Sequence, residues 1–142
     1  MMDFLSIERV WEDIEFFEIE VVAQSETICA KTQSYTQDSR IDELASRLAT
    51  FPQSPDDRYL WENGTKGDHS TTCVSLEFSC EDALGHLLIE VYMELEDGGS
   101  YETHNCCFYI RTEPDTLNRF GKSLARINER GIGKKATLAP LV

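Results

Sequence analysis

His86–Glu96 reads HLLIEVYMELE, and its alternation sets the class of the fold. Leu87, Ile89, Val91, Met93 and Leu95 fall on one side; His86, Leu88, Glu90, Tyr92, Glu94 and Glu96 fall on the other. A period of two marks a strand with one dry and one wet face, because successive side chains leave a strand on opposite sides. Upstream, 72–80 repeats the pattern with Thr72, Val74, Leu76, Phe78 and Cys80. Downstream, 101–111 sets Cys106, Phe108 and Ile110 against Asn105, Cys107, Tyr109 and Arg111. Residues 81–85 and the Asp97-Gly98-Gly99-Ser100 stretch supply the turns, so these three strands pair antiparallel.

Further out, 12–24 (EDIEFFEIEVVAQ) alternates again, with Phe17, Ile19, Val21 and Ala23 opposite Glu18 and Glu20. The Phe16-Phe17 doublet breaks the phase and marks a bulge or a start buried on both sides. Residues 27–36 read as its hairpin partner. A helix is expected at 40–51, capped by Ser39, with Asp42 completing a capping-box-like pattern and Pro52 ending it. Its stripe is Ile41, Leu44, Ala45, Leu48 and Phe51. Residues 52–70 read as a long loop whose Tyr59, Leu60 and Trp61 tuck into the core edge. A second helix is expected at 113–130, capped by Thr112 with Pro114 in its first turn. Its apolar stripe is Leu117, Phe120, Leu124 and Ile127, and Gly131 and Gly133 stop it. The expectation is an α+β fold of order β-β-α-β-β-β-α: a five-stranded antiparallel sheet with two helices on one face and the other face open. Residues 1–142 form one domain in this reading, with a core over 11–130 and a flexible or lightly docked tail over 131–142.

The chain has 142 residues, 26 acidic against 13 basic, for a formal charge of −13. That balance repels phosphate, so neither nucleic acid nor an anionic membrane is an expected direct partner. Met1–Glu20 shows no basic segment followed by an apolar run, and no stretch approaches the length of a membrane helix. With five cysteines, an odd count, the expected setting is the cytoplasm with reduced thiols. His104, Cys106 and Cys107, with Cys73, Cys80 and His86, offer ligand types for a metal, but no C-x₂₋₄-C pair is present. A thiol nucleophile such as Cys107 beside His86 is disfavoured, because surrounding carboxylates raise a thiol pKa. No catalytic residue, metal or cofactor is therefore expected.

Charge is polarised along the chain. Residues 1–26 carry eight acids and one Arg, 81–102 seven acids and no Lys or Arg, and 112–142 three acids and six bases. Stacked carboxylates on a sheet cost stability that a cationic partner recovers, and tyrosine beside carboxylate suits Arg and Lys. Candidate partner-binding residues are Glu18, Glu20, Glu90, Tyr92 and Glu94 on the sheet. Asp56, Asp57, Tyr59, Trp61 and Asp68 are further candidates from the long loop.

WEDIEFFEIEVV, the Leu44/Leu48 helix with Phe51, VSLEF, GHLLIEVYMEL, CCFYI and LNRFGKSLARI together resemble the WapI-type immunity proteins over about residues 11–128. The resemblance implies a small bacterial cytoplasmic antidote to a contact-dependent toxin. Such a protein is non-catalytic and blocks a toxin domain, often a basic nuclease, by direct binding. No contact residue carries over by motif. Two other readings stand beside it: a non-catalytic protein-binding module or oligomer, and a small zinc- or Cys/His-dependent protein; the chain itself is expected as a monomer or weak homodimer.

Overall fold

A computed structural model describes residues 3–68, 71–95 and 104–139. Eight strands and two helices follow in the order β1 (Phe4–Glu12), β2 (Phe17–Gln24), β3 (Cys29–Thr36), α1 (Asp38–Leu48), β4 (Arg58–Asn63), β5 (Val74–Cys80), β6 (Leu87–Leu95), β7 (His104–Thr112), α2 (Pro114–Ser123) and β8 (Lys135–Leu138). A 3-10 helix, Leu124–Asn128, continues α2. The strands form two antiparallel four-stranded sheets, β3-β2-β1-β8 and β4-β5-β6-β7.

The expected single five-stranded sheet is therefore wrong. Three strands account for the difference. In β1, Leu5 and Ile7 face the core but the next inward position is Arg9, so the apolar alternation stops short. In β4, the inward set Tyr59, Trp61 and Asn63 ends on an amide and lies among prolines and glycines that read as loop. β8 has only four residues, yet Ala136 and Leu138 are buried and pair with β1, docking the tail. The caps also shift. Gln37 rather than Ser39 precedes α1, and Glu113 rather than Thr112 precedes α2. α1 ends at Leu48, before Pro52, and the second helical stretch tightens to 3-10 geometry after Ser123.

Inner faces of both sheets, α1, α2 and the 3-10 helix share one apolar core that includes Ile19, Val21, Leu44, Trp61, Leu76, Ile89 and Phe120. The helices do not cover one sheet face, as expected from a five-stranded plan. They pack on each other and reach β8 of the first sheet and β4 of the second. Gly121 makes the crossing close: a Cβ there would stand 2.7 Å from the backbone nitrogen of Ala49. Asn118 donates to the carbonyls of Leu48 and Phe51, satisfying the end of α1.

The sheets meet at β3 through polar groups. Its buried side presents Thr32, Ser34 and Thr36 instead of aliphatics. Thr32 donates to the Glu94 carbonyl and Ser34 to that of Thr72, both at 2.7 Å. Asn63 donates to Ser34 Oγ at 2.8 Å and to the Tyr35 carbonyl at 2.9 Å. Buried carbonyls need such partners, so the hydroxyls set how the second sheet abuts the first.

Candidate functional site

Among the described residues no helix covers the outer face of either sheet, and the two faces differ. On the first sheet, β1 carries a bulge between Arg9 and Trp11. Arg9 pairs with inward Ile19 and is buried, its guanidinium 3.9 Å from the Phe17 ring centre and bonded to the Ile127 carbonyl and Glu12. Without the extra residue, Trp11 would share that inward phase. With it, Trp11 pairs with Glu18 and turns outward, 41% exposed. No bulge lies at Phe16-Phe17, where β2 simply starts with Phe17 buried and Phe16 exposed; the bulge is in β1, where none was expected.

Trp11 meets Tyr35 edge-on at 5.8 Å, and Phe16 meets the same ring at 6.1 Å. The β1–β2 turn is held by Asp13, whose carboxylate accepts the N–H groups of Glu15 and Phe16. Those two bonds, Phe16 first, hold its pKa below the usual value. Ile14, at the tip, is 86% exposed. Trp11, Ile14 and Phe16 on the β1–β2 hairpin, with Tyr35 on neighbouring β3, are thus uncovered rings and an aliphatic side chain. Around them stand Asp13, Glu15 and Glu18, and Glu8 lies directly opposite Glu20 one row away. Glu20 accepts a bond from Gln33 at 3.2 Å.

On the second sheet the outer rows are Leu60–Glu77–Glu90–Tyr109 and Glu62–Ser75–Tyr92–Cys107. Here polar groups bind one another. Glu90 accepts from the Tyr109 hydroxyl at 3.4 Å and the Cys107 thiol at 3.6 Å. The Glu90 charge raises the Tyr109 pKa; burial, then Glu90, raises that of Cys107. Arg58 pairs with Glu77 at 3.4 Å, and the Lys66 ammonium sits 4.5 Å from the centre of the Tyr92 ring.

The nominated residues scatter accordingly. Glu18 and Glu20 lie together on the first sheet; Glu90 and Tyr92 lie on the second. Glu94 is buried, accepting the N–H groups of Gly67 and Cys73 at 2.9 Å and the Tyr92 hydroxyl at 3.1 Å. It anchors the segment before β5 rather than facing outward. Asp57 takes a two-point ion pair from Arg47 at 2.7 and 3.0 Å, which, with Gln53 N–H, brings its pKa down to about 2. Tyr59 stacks on Phe78 at 6.0 Å, and burial pushes its pKa up to about 12. Trp61 is fully buried, donating to the Arg40 carbonyl at 3.1 Å. Asp56 and Asp68 are exposed, on separate turns.

Among the described residues no group of three or more His, Cys, Asp or Glu could hold a metal. The register places His86 six residue steps from the position opposite Cys107, roughly 20 Å along the strand. Burial raises the pKa of Cys73, Cys80, Cys106 and Cys107, keeping these thiols protonated. No described helix is long and apolar enough to cross a membrane. The strongest feature, the Trp11–Phe16–Tyr35 cluster, escaped sequence reasoning; its signal was the phase shift between Ile7 and Trp11. Comparison with family models, curated proteins and solved structures finds no match to this chain.

Proposed function

We propose that this chain is a cytoplasmic immunity protein that neutralises a cognate basic, nuclease-type toxin domain by direct binding. The observation that carries the reading is the aromatic cluster Trp11–Phe16–Tyr35, held uncovered on the outer sheet face with carboxylates around it. Large rings exposed together on rigid backbone are the composition of binding hot spots rather than of an ordinary wet face. The rings supply area, and Asp13, Glu15, Glu18 and Glu20 supply a rim that attracts Arg and Lys. The net charge of −13 speeds encounter with a cationic partner. The likeness to WapI-type immunity proteins supplies the partner's class.

The test is titration against the toxin domain encoded beside this gene, measured by calorimetry and stopped-flow. The wild type binds, and Trp11→Ala weakens binding by about 30-fold or more, a loss of about 2 kcal/mol. Glu20→Lys slows association and flattens its salt dependence. Absence of a complex at micromolar protein and low salt overturns the reading. Undiminished affinity in Trp11→Ala removes this face from it.

A further inference from the structure

Among the described residues the two sheets have four edge strands: β3, β8, β4 and β7. An open edge offers unpaired N–H and C=O groups, and folded proteins guard such rows with charge, proline, bulges, short length or cover. Three of the four are guarded. β8 has four residues and carries Lys135. β3 carries Lys31, and its far end is tied down: Tyr35 N–H bonds Thr71 Oγ1, and the Gln33 carbonyl accepts from the Thr72 hydroxyl. β4 carries Arg58 and Glu62, and Arg40 bonds the Glu62 carbonyl.

β7 differs. It runs nine residues in unbroken register with β6, with no proline, and no Asp, Glu, Lys or Arg from His104 to Ile110. Arg111 N–H bonds the Asp3 carboxylate at 2.7 Å, away from β6. By strand alternation the N–H groups of Tyr109, Cys107 and Asn105 point the same way. Among the described residues none of these three N–H groups has a partner.

We infer that the β7 edge is a homodimer interface, pairing antiparallel with β7 of a second copy about a two-fold axis at Cys107. The second copy is the occupant because the segment is self-complementary. Reversed on itself at Cys107, it sets Asn105 opposite Tyr109 of the other chain and Phe108 opposite Cys106, so no like charges meet. For a chain of charge −13 this matters, because from His104 to Ile110 β7 carries no carboxylate to repel its copy. The two-fold closes the contact, joining the sheets into one of eight strands. The cluster on the first sheet lies outside the contact, so the dimer stands independently of the toxin reading.

Mass measurement by light scattering across a concentration series, at moderate salt to screen the net charge, tests this. The wild type is dimeric at the upper end. Residues paired across such an axis have Cα atoms about 5.5 Å apart, within disulfide range, so diamide links Cys107 to Cys107. Cys107→Ser keeps the dimer and loses the link. Cys107→Pro removes only an outward N–H and yields a monomer with unchanged circular dichroism. Asn105→Lys, which leaves the backbone intact, raises the dissociation constant at least about tenfold and decides the matter should the proline variant not fold. A wild type monomeric at every concentration, a dimer undisturbed by Asn105→Lys, or a cross-link running through Cys29 overturns the inference.

Discussion

On the outer face of the first sheet, rings gather on rings and carboxylates stand at the rim. On the outer face of the second, rings and thiols settle onto the carboxylates themselves. Both faces are built from alternating Glu and aromatic positions, so composition does not separate them. Phase does. The β1 bulge moves Trp11 from the core side to the wet side, where Tyr35 and Phe16 meet it. In β4 no bulge intervenes, and Trp61 stays in the core. One inserted residue thus converts a core tryptophan into a surface one.

The sharpest way to break this contrast is to truncate each tryptophan. Trp61→Ala removes a fully buried side chain and costs about 3–5 kcal/mol in urea unfolding. Trp11→Ala costs under about 1 kcal/mol while weakening partner binding. Equal stability losses would show that the cluster is core, not contact surface. The carboxylates offer the same comparison at smaller scale. Glu94→Ala strips the buried Gly67 and Cys73 N–H groups of their acceptor and costs about 2–3 kcal/mol, whereas Glu20→Ala changes stability by no more than about 0.5 kcal/mol. The helix crossing comes next: Gly121→Ala forces the helices apart and lowers stability by about 1–3 kcal/mol, measured in the same way.

Acid unfolding gives a smaller effect. The Asp57 pKa is lowered in the fold to about 2 from an ordinary 3.8, so its contribution is present above pH 4 and fades as pH falls toward 2. Asp57→Asn reduces stability at pH 7 and flattens the acid limb of a denaturation series between pH 4 and 2. The exposed Asp82–His86 pair acts in the opposite direction and least. The His86 pKa is raised, chiefly by its bond to Asp82, so its contribution is full below pH 6.5 and lost as pH rises through the folded value. His86→Ala leaves stability at pH 8 unchanged and lowers it slightly at pH 5.5.

Much of this was legible before any coordinates. β2, β5, β6 and β7 each bury one alternating face, and that signal is local, so strand phase and the amphipathic stripes of α1 and α2 read correctly. β1, β4 and β8 escaped because each breaks the pattern for a reason remote in sequence. Arg9 is tolerated inside only because the Ile127 carbonyl and Glu12 receive it. Asn63 is tolerated because Ser34 and Tyr35 receive it. Glu94 looked like a surface charge for the same reason, since the buried N–H groups it receives, those of Gly67 and Cys73, lie outside its own strand.

Local alternation by itself determined β2, β5, β6 and β7 and which of their sides are dry, and composition alone gave the large acidic excess. Tertiary structure alone decided that the strands divide into two sheets, that Glu18 and Glu90 lie on different faces, and that Trp11 is open while Trp61 is closed. The reason is that burial of a polar or aromatic group depends on whether a distant acceptor, donor or bulge is there to meet it, and a one-dimensional pattern does not record that meeting.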